Sequence, residues 1–270
     1  MTFTSFSWIA RACIGLLVLC PLNAQTVTNA DEVKAYNSWK AMAEKDNAMA
    51  QFLLGSCYDA GTGVKQDIRL AAVWYLKSAE NGFSQGQYQI ATCFSVGRGV
   101  QRDPSKAAFW FRKSADQGDA RAQCELGNCY FNGEGVPRDQ PQAVVWFRKA
   151  ADQGNAIGQN NLAACLERGL GGIKDTFQAI EWYRKAAAQG LDLALNNLGY
   201  AYANGQGVAK DEVEAYALYN LASLTCEAAK NNRVGLESKL SREEIAAGQR
   251  RTKEMQKEIE ARTTGKPKVK

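Results

Sequence analysis

Cysteine is the residue type whose spacing in this chain first suggests chemistry. The sequence places Cys57, Cys93, Cys129 and Cys165 at intervals of 36 residues. A thiol can act as a nucleophile, bind a metal or form a disulfide. Equivalent helices of stacked repeats lie about 8 to 10 Å apart, whereas a disulfide needs Cα atoms within about 7 Å. The cysteine column therefore predicts small buried packing residues, with disulfides or a metal site as the alternatives.

Other patterns that resemble catalytic motifs lack the residues that such motifs need. Gly82 to Gly86 satisfies GxSxG around Ser84, but a hydrolase elbow requires a preceding strand and a histidine base. The chain contains no histidine and no CxxC motif. Pairs such as Gly61/Gly63 follow helices and not strands, so they predict turns and not phosphate loops. We therefore expect no catalytic residue, no metal site and no cofactor.

The elements that carry these residues follow the same period. Trp74, Trp110, Trp146 and Trp182 keep the step of 36, and so do the columns that begin at Gly61 and Asp67. Such a period indicates units that bury their apolar faces against their neighbours. Within a unit, Gly61 is suited to end a first helix and Asp67 to cap a second. The sequence predicts repeated αα-hairpins with the tryptophans in the core.

The repeated motif resembles the Sel1-like repeat, a relative of the tetratricopeptide repeat. LGSCYDAGTGVKQD and LGNCYFNGEGVPRD, which begin at Leu54 and Leu126, carry the Gly-x-Gly-Val turn and the Asp cap, and the match covers about residues 31–227. The pattern departs at Gly172, which replaces the valine, and at Leu166, Leu218 and Leu221. The resemblance implies an all-α, right-handed α-solenoid of stacked αα-hairpins, whose first helices line a concave groove for partner segments.

The period also predicts the domain organisation. Residues 1–24, with the apolar run from Ala12 to Cys20, are typical of a signal peptide, and an uncleaved anchor is the alternative. A leading half-repeat covers 31–47, and five repeats cover 48–227 as 48–83, 84–119, 120–155, 156–191 and 192–227. The period is lost after Cys226; capping helices are expected over 228–262, with Ser241 to Glu244 as a capping box, and a basic tail over 263–270.

Charge and composition narrow the class of partner. From Glu227 to Lys270 there are 12 Lys or Arg against 7 Asp or Glu, an excess equal to the net charge of +5. The repeats are thus nearly neutral, which disfavours specific nucleic-acid binding. The signal predicts an exported protein, periplasmic or secreted, without a transmembrane segment in the mature chain. We expect a monomer that binds a protein or peptide.

Comparison between the repeats predicts where that partner binds. Columns that vary between units are free to contact a ligand, and on the first helices the varying positions share one face. An ordinary solvated helix face is the alternative. The asparagine-rich part could pair with an extended backbone, so alanine at Asn160, Asn161 or Asn197 should weaken binding without changing the melting temperature. The candidate residues are Met49, Phe52, Leu53, Tyr88, Gln89, Arg121, Glu125, Asn128, Asn160, Asn161, Arg168, Asn196, Asn197, Tyr200 and Asn204.

The function predicted from the sequence is a non-enzymatic adaptor or scaffold that binds its partner in the groove. The competing class is a secreted hydrolase of the β-lactam-binding type found among cysteine-rich Sel1-like relatives. Those relatives carry paired cysteines that bridge the two helices of a hairpin. This chain has a single cysteine column and no Ser-x-x-Lys, which favours the adaptor.

Overall fold

The computed structural model describes residues 29–172 and 174–263, all of whose regular elements are helices. The predicted signal peptide and nearly all of the predicted basic tail lie outside the described residues. No helix within the described ranges is long and apolar enough to cross a membrane. The helices are α1 (Asn29–Ala43), α2 (Ala48–Ala60), α3 (Ile68–Glu80), α4 (Ser84–Val96), α5 (Pro104–Asp116), α6 (Ala120–Asn132), α7 (Gln140–Asp152), α8 (Ala156–Arg168), α9 (Thr176–Ala187), α10 (Asp192–Asn204), α11 (Glu212–Ala222), α12 (Glu227–Glu237) and α13 (Arg242–Thr263).

The chain divides into two compact units, Met1–Arg138 and Asp139–Lys270. In the first unit, α2 pairs with α3 and α4 with α5, and each hairpin packs on the helix that follows it. In the second unit, α8 pairs with α9 and α10 with α11, again with consecutive helices in contact. Each unit is therefore a stack of αα-hairpins, as the period predicts for an all-α solenoid.

Local sequence signals set the helix ends. Gly61 adopts φ of 74°, and its N–H donates to the carbonyl of Cys57, which ends α2. The carboxylate of Asp67 accepts from the backbone N–H groups of Arg69 and Leu70, which begins α3. The same glycine and aspartate caps recur in the following repeats. The predicted caps are confirmed because they depend only on residues within one turn of the helix end.

The second glycine of each turn allows close packing between repeats. Gly99 has φ of 72°, and a Cβ there would collide with the backbone carbonyl of Ile68 at the start of α3. Gly135 meets Pro104 at the start of α5 in the same way. These turns therefore rest directly on the preceding hairpin, which only glycine permits.

One buried core column is formed by the aromatic residue that follows each periodic tryptophan and, in the last repeat, Leu218. Tyr75, Phe111, Phe147, Tyr183 and Tyr219 are at most 3% exposed. Among the tryptophans Trp146 is buried, whereas Trp74, Trp110 and Trp182 are half-buried. The prediction of a fully buried tryptophan column is thus wrong for three of four rings. Lysine ammonium groups one turn later cover the rings of Trp74, Trp146 and Trp182 at 3.8 to 4.3 Å from the centroid.

The C-terminal helices cap the second unit. Ser241 and Glu244 form the predicted capping box: the N–H of Ser241 donates to the Glu244 carboxylate at 2.8 Å, and the N–H of Glu244 donates to the Ser241 hydroxyl at 3.2 Å. Helix α13 packs on α11, where the Thr252 hydroxyl donates to the carbonyl of Ala217 at 3.2 Å. The period continues beyond Cys226, where the sequence suggests that it ends. Asn232 on α12 lies 36 residues after Asn196 and is its equivalent.

Candidate partner-binding face

The periodic thiols are packing groups and not reactive ones. Among the described residues Cys57, Cys93, Cys129 and Cys165 are buried and form no disulfide, Cys124 is likewise buried outside any disulfide, and Cys226 is half-buried. Burial raises the pKa of the periodic thiols to about 11 or 12, which suppresses the nucleophilic thiolate. The buried column confirms the packing interpretation. Within residues 29–172 and 174–263, no cluster of metal-ligating side chains forms.

Ser84 of the GxSxG segment has a structural role. Its hydroxyl lies 2.9 Å from the hydroxyl of Ser114, and the Ser114 hydroxyl also donates to the Ser84 carbonyl at 3.0 Å. The segment joins α3 to α4 without a strand. Ser84 therefore ties together the two helices of one hairpin, α4 and α5, and has none of the surroundings of a hydrolase nucleophile.

In the first unit, the predicted face divides into packed and exposed residues. Phe52 is half-buried, with its ring centroid 5.8 Å from that of Tyr75 and 5.6 Å from that of Phe83. Leu53 is buried at 7% exposure, whereas Met49 is 52% exposed. Met49 is therefore the residue of this group that is open to a ligand.

The middle of that unit carries a polar surface. The Arg121 guanidinium lies 4.4 Å from the centroid of the half-buried Tyr88 ring and forms an ion pair with Asp119 at 2.7 Å. Burial raises the pKa of Tyr88, and the Glu125 carboxylate adds to that shift. Glu125 also accepts from the Asn128 amide at 3.2 Å. Gln89, predicted with this group, is half-buried beside it on α4.

In the second unit, the predicted asparagines form a network between helices. Asn197 Nδ2 donates to Asn160 Oδ1 at 3.0 Å, and Asn160 Nδ2 donates to Asn161 Oδ1 at 3.3 Å. Asn232 Nδ2 donates to Asn196 Oδ1 at 3.0 Å. Asn160 is only 6% exposed, so it differs from the solvated asparagine that the sequence suggested. The network joins α8, α10 and α12 and fixes the direction of their amide groups.

Exposed side chains flank this network. Ile157 and Leu193, one repeat apart, are 49% and 56% exposed, and Tyr200 is 47% exposed. Arg168 and Asn204 are exposed at the ends of α8 and α10, where Asn204 Nδ2 donates to the Tyr200 carbonyl at 2.8 Å. We call the surface formed by Ile157, Asn161, Arg168, Leu193, Asn196, Asn197, Tyr200 and Asn204 the amide face.

A constant glutamine column was missed in the sequence. Nε2 of Gln51, Gln87, Gln123 and Gln159 donates to the backbone carbonyl eight residues earlier, at 3.2 to 3.3 Å. The Gln159 carbonyl in turn accepts from Gln189 at 2.9 Å. These buried amides satisfy carbonyls at the C-terminal end of the preceding helix. The period of 36 at these positions was the signal that could have identified them.

A cavity of about 590 Å³ lies between α9 and the turn after α10, and its lining includes none of the predicted site residues. Phe177 and Tyr202 form its aromatic walls. Among the charged groups beside it, Arg184 donates to Glu181 at 2.8 Å and to the Tyr202 hydroxyl at 3.0 Å.

Comparison with known proteins agrees with this architecture. The Sel1 repeat family model matches residues 48–83, 84–119, 120–155, 156–191 and 192–224. The structure of c5321, a protective antigen of uropathogenic Escherichia coli strains with an SLR fold, is 31% identical, with a TM-score of 0.67. The match covers 88% of this chain and 60% of the antigen's chain.

A Sel1 repeat protein from Oxalobacter formigenes is 25% identical, with a TM-score of 0.70 and coverage of 87% of this chain and 86% of its own. No curated protein matches the chain. The family model spans well over half of the sequence, and the matched segments coincide with the hairpins described above. The chain belongs to the Sel1 repeat family.

Proposed function

We propose that the protein binds an extended segment of a partner protein on the amide face. Sel1 repeat proteins are typically protein-interaction modules, and the family is generally of the non-enzymatic scaffold type. The observation that supports this location best is the asparagine network. It holds amide groups in fixed directions on three alternate helices, α8, α10 and α12. Pre-oriented amides reduce the entropy that a flexible side chain would lose on binding.

The composition of the amide face suits a protein partner. Ile157, Leu193 and Tyr200 offer apolar area, while the neighbouring asparagines can donate to and accept from a peptide backbone. Backbone pairing supplies affinity with little dependence on the partner's side chains, and the apolar positions supply selectivity. The buried, protonated thiols and the absence of histidine support a binding role over the hydrolase alternative.

Export of the protein is part of the proposal. The apolar run from Ala12 to Cys20 and the small residue Ala24 support a cleaved signal. N-terminal sequencing of the native protein should find a mature chain that begins near Gln25. Intact Met1 on cytoplasmic protein would contradict export.

Site-specific crosslinking tests the binding surface. A photoreactive phenylalanine analogue replaces Tyr200 on the amide face or, as the matched control, Phe177, which belongs to the same unit and lines the cavity outside the amide face. Both positions are exposed, at 47% and 74%. We expect a partner crosslinked from position 200 and absent from position 177, identified by mass spectrometry.

The identified partner is then purified and titrated against Leu193→Ala and Tyr200→Ala by calorimetry. Loss of a well-packed contact at an interface costs about 1 to 2 kcal/mol, or roughly 5- to 30-fold in Kd. Both variants should melt like the wild type, because these side chains are half exposed. Unchanged affinity in both, or a partner captured only from position 177, would place binding elsewhere.

A further inference from the structure

The amide face carries a donor and an acceptor that the protein itself leaves unused. Asn196 Oδ1 is occupied by Asn232, and Asn197 Nδ2 is occupied by Asn160. Within the described part of the chain, Asn196 Nδ2 makes no hydrogen bond and Asn197 Oδ1 accepts none. Both side chains are half-buried. One peptide group has the complementary pair, since its carbonyl accepts and its N–H donates.

The spacing of the helices restricts the conformation of the bound segment. Packed helices lie about 8 to 10 Å apart, which sets the spacing expected between successive first helices. Three residues of a β-strand span about 10 Å. Because side chains alternate along a strand, residues i and i+3 face opposite sides, and only one of them can face the protein. A polyproline II segment has three residues per turn and rises about 9.3 Å per turn. Every third residue of such a segment therefore presents the same face to the next repeat.

An α-helix would also keep register, since seven residues rise about 10.5 Å. Its backbone groups, however, are satisfied internally and offer nothing to the unused amide groups. A polyproline II segment has no internal hydrogen bonds and leaves its carbonyls and N–H groups available. The unused donor and acceptor thus disfavour a helix, and the helix spacing disfavours a strand.

We propose that the partner segment is a polyproline II helix with an apolar, non-proline residue at every third position. This rests on the proposed function and names the conformation that the amide face selects. The apolar side chains contact Ile157 and Leu193, which stand one repeat apart and are about half exposed. The partner residue beside Asn197 is not proline, because its backbone N–H donates to Asn197 Oδ1. A backbone carbonyl of the partner segment near that residue accepts from Asn196 Nδ2.

Synthetic peptides test the conformation directly. The first probe consists of repeated Leu-Pro-Pro triplets, about 12 residues long, which is enough to span α8, α10 and α12. The second has the same composition with its leucines at alternate positions. The third is the triplet probe with its leucine nitrogens methylated, which removes the N–H and keeps the side chain. Binding to the full chain is measured by fluorescence polarisation.

We expect saturable binding of the triplet probe below about 1 mM and at least about tenfold weaker binding of the alternating probe. Methylation should weaken binding by about 2- to 10-fold, the usual value of one net hydrogen bond. Asn197→Leu should weaken binding of the triplet probe by a similar factor. The methylated probe should bind the variant and the wild type equally, because methylation and the substitution remove the same hydrogen bond. Gln206→Ala, at an exposed amide on the turn after α10, is the matched control and should leave all affinities unchanged.

The outcomes separate this proposal from the one on which it rests. Three results would each overturn the polyproline II proposal. The triplet probe shows no saturable binding, the alternating probe binds as well as the triplet probe, or the methylated probe binds as well as the triplet probe. If a crosslinked partner still loses affinity in Leu193→Ala, the amide face remains the binding surface. If neither the probes nor a partner depends on Leu193, both proposals fail. The methylated probe leaves the protein unaltered, so any instability of Asn197→Leu does not affect that arm.

Discussion

Asn160 offers the sharpest test of the network, because its alanine variant should lose stability before any partner is added. Its side chain is 6% exposed, accepts from Asn197 at 3.0 Å and donates to Asn161 at 3.3 Å. Each neutral hydrogen bond contributes about 0.5 to 1.5 kcal/mol net. The released amide of Asn197 is half-buried and can bind water, so no further desolvation penalty is added. The expected loss is about 2 kcal/mol.

Thermal unfolding followed by far-ultraviolet circular dichroism measures this loss. For a chain of this size, about 2 kcal/mol lowers Tm by about 4 to 8 °C. Asn204→Ala is the matched control, since Asn204 is exposed and donates only within its own helix, to the Tyr200 carbonyl. Its effect should stay within about 0.5 kcal/mol. Equal melting temperatures for the two variants would refute the assignment of Asn160 to a buried network.

Three further outcomes follow from the packing. Gly99→Ala should destabilise the protein by at least about 2 kcal/mol more than Gly82→Ala in urea unfolding, because both residues have positive φ but only Gly99 abuts another backbone; equal losses would mean that the turn does not rest on the preceding hairpin. Trp146→Ala, at a 5% exposed core ring, should cost about 2 to 3 kcal/mol more than Tyr200→Ala on the same scale, and similar costs would reverse the assignment of faces. Of the thiols in residues 29–172 and 174–263, Cys226 should react first with an aromatic disulfide reagent at neutral pH. The five buried thiols should react only on unfolding, because burial holds their pKa at about 11 to 12; rapid reaction of all six would contradict their burial.

The parts of the fold that depend on neighbours in sequence could be predicted. Gly61 and Asp67 set helix ends through contacts within one turn, so their types and spacing sufficed. The buried cysteine column was also predictable, because a constant small apolar residue at each repeat has one environment. In both cases the period repeats the same local physics.

Features that depend on rotation about a helix or on a distant partner could not be predicted. Asn160 and Asn161 are adjacent, yet about 100° of helix rotation separates a buried residue from a half-buried one. Trp74 and Tyr75 differ in the same way, and both are aromatic, so type alone did not reveal which ring lies deeper. The role of Gln51 was hidden because its partner is a backbone carbonyl on another helix, and carbonyls leave no trace in the sequence.

The glutamine column has a consequence for how such a chain can change in length. Gln123 donates to the backbone carbonyl of Ala115, and Gln87 donates to that of Ala79; every residue type supplies such a carbonyl. A duplicate of residues 84–119 inserted after Asp119 would place its own glutamine against Ala115 and its own alanine carbonyl against Gln123. Both junctions would keep the glutamine-to-carbonyl hydrogen bond, so unequal recombination at this period could add or delete a whole unit without breaking it. The asparagine network lacks that interchangeability, which leaves the C-terminal repeats the more constrained part of the gene.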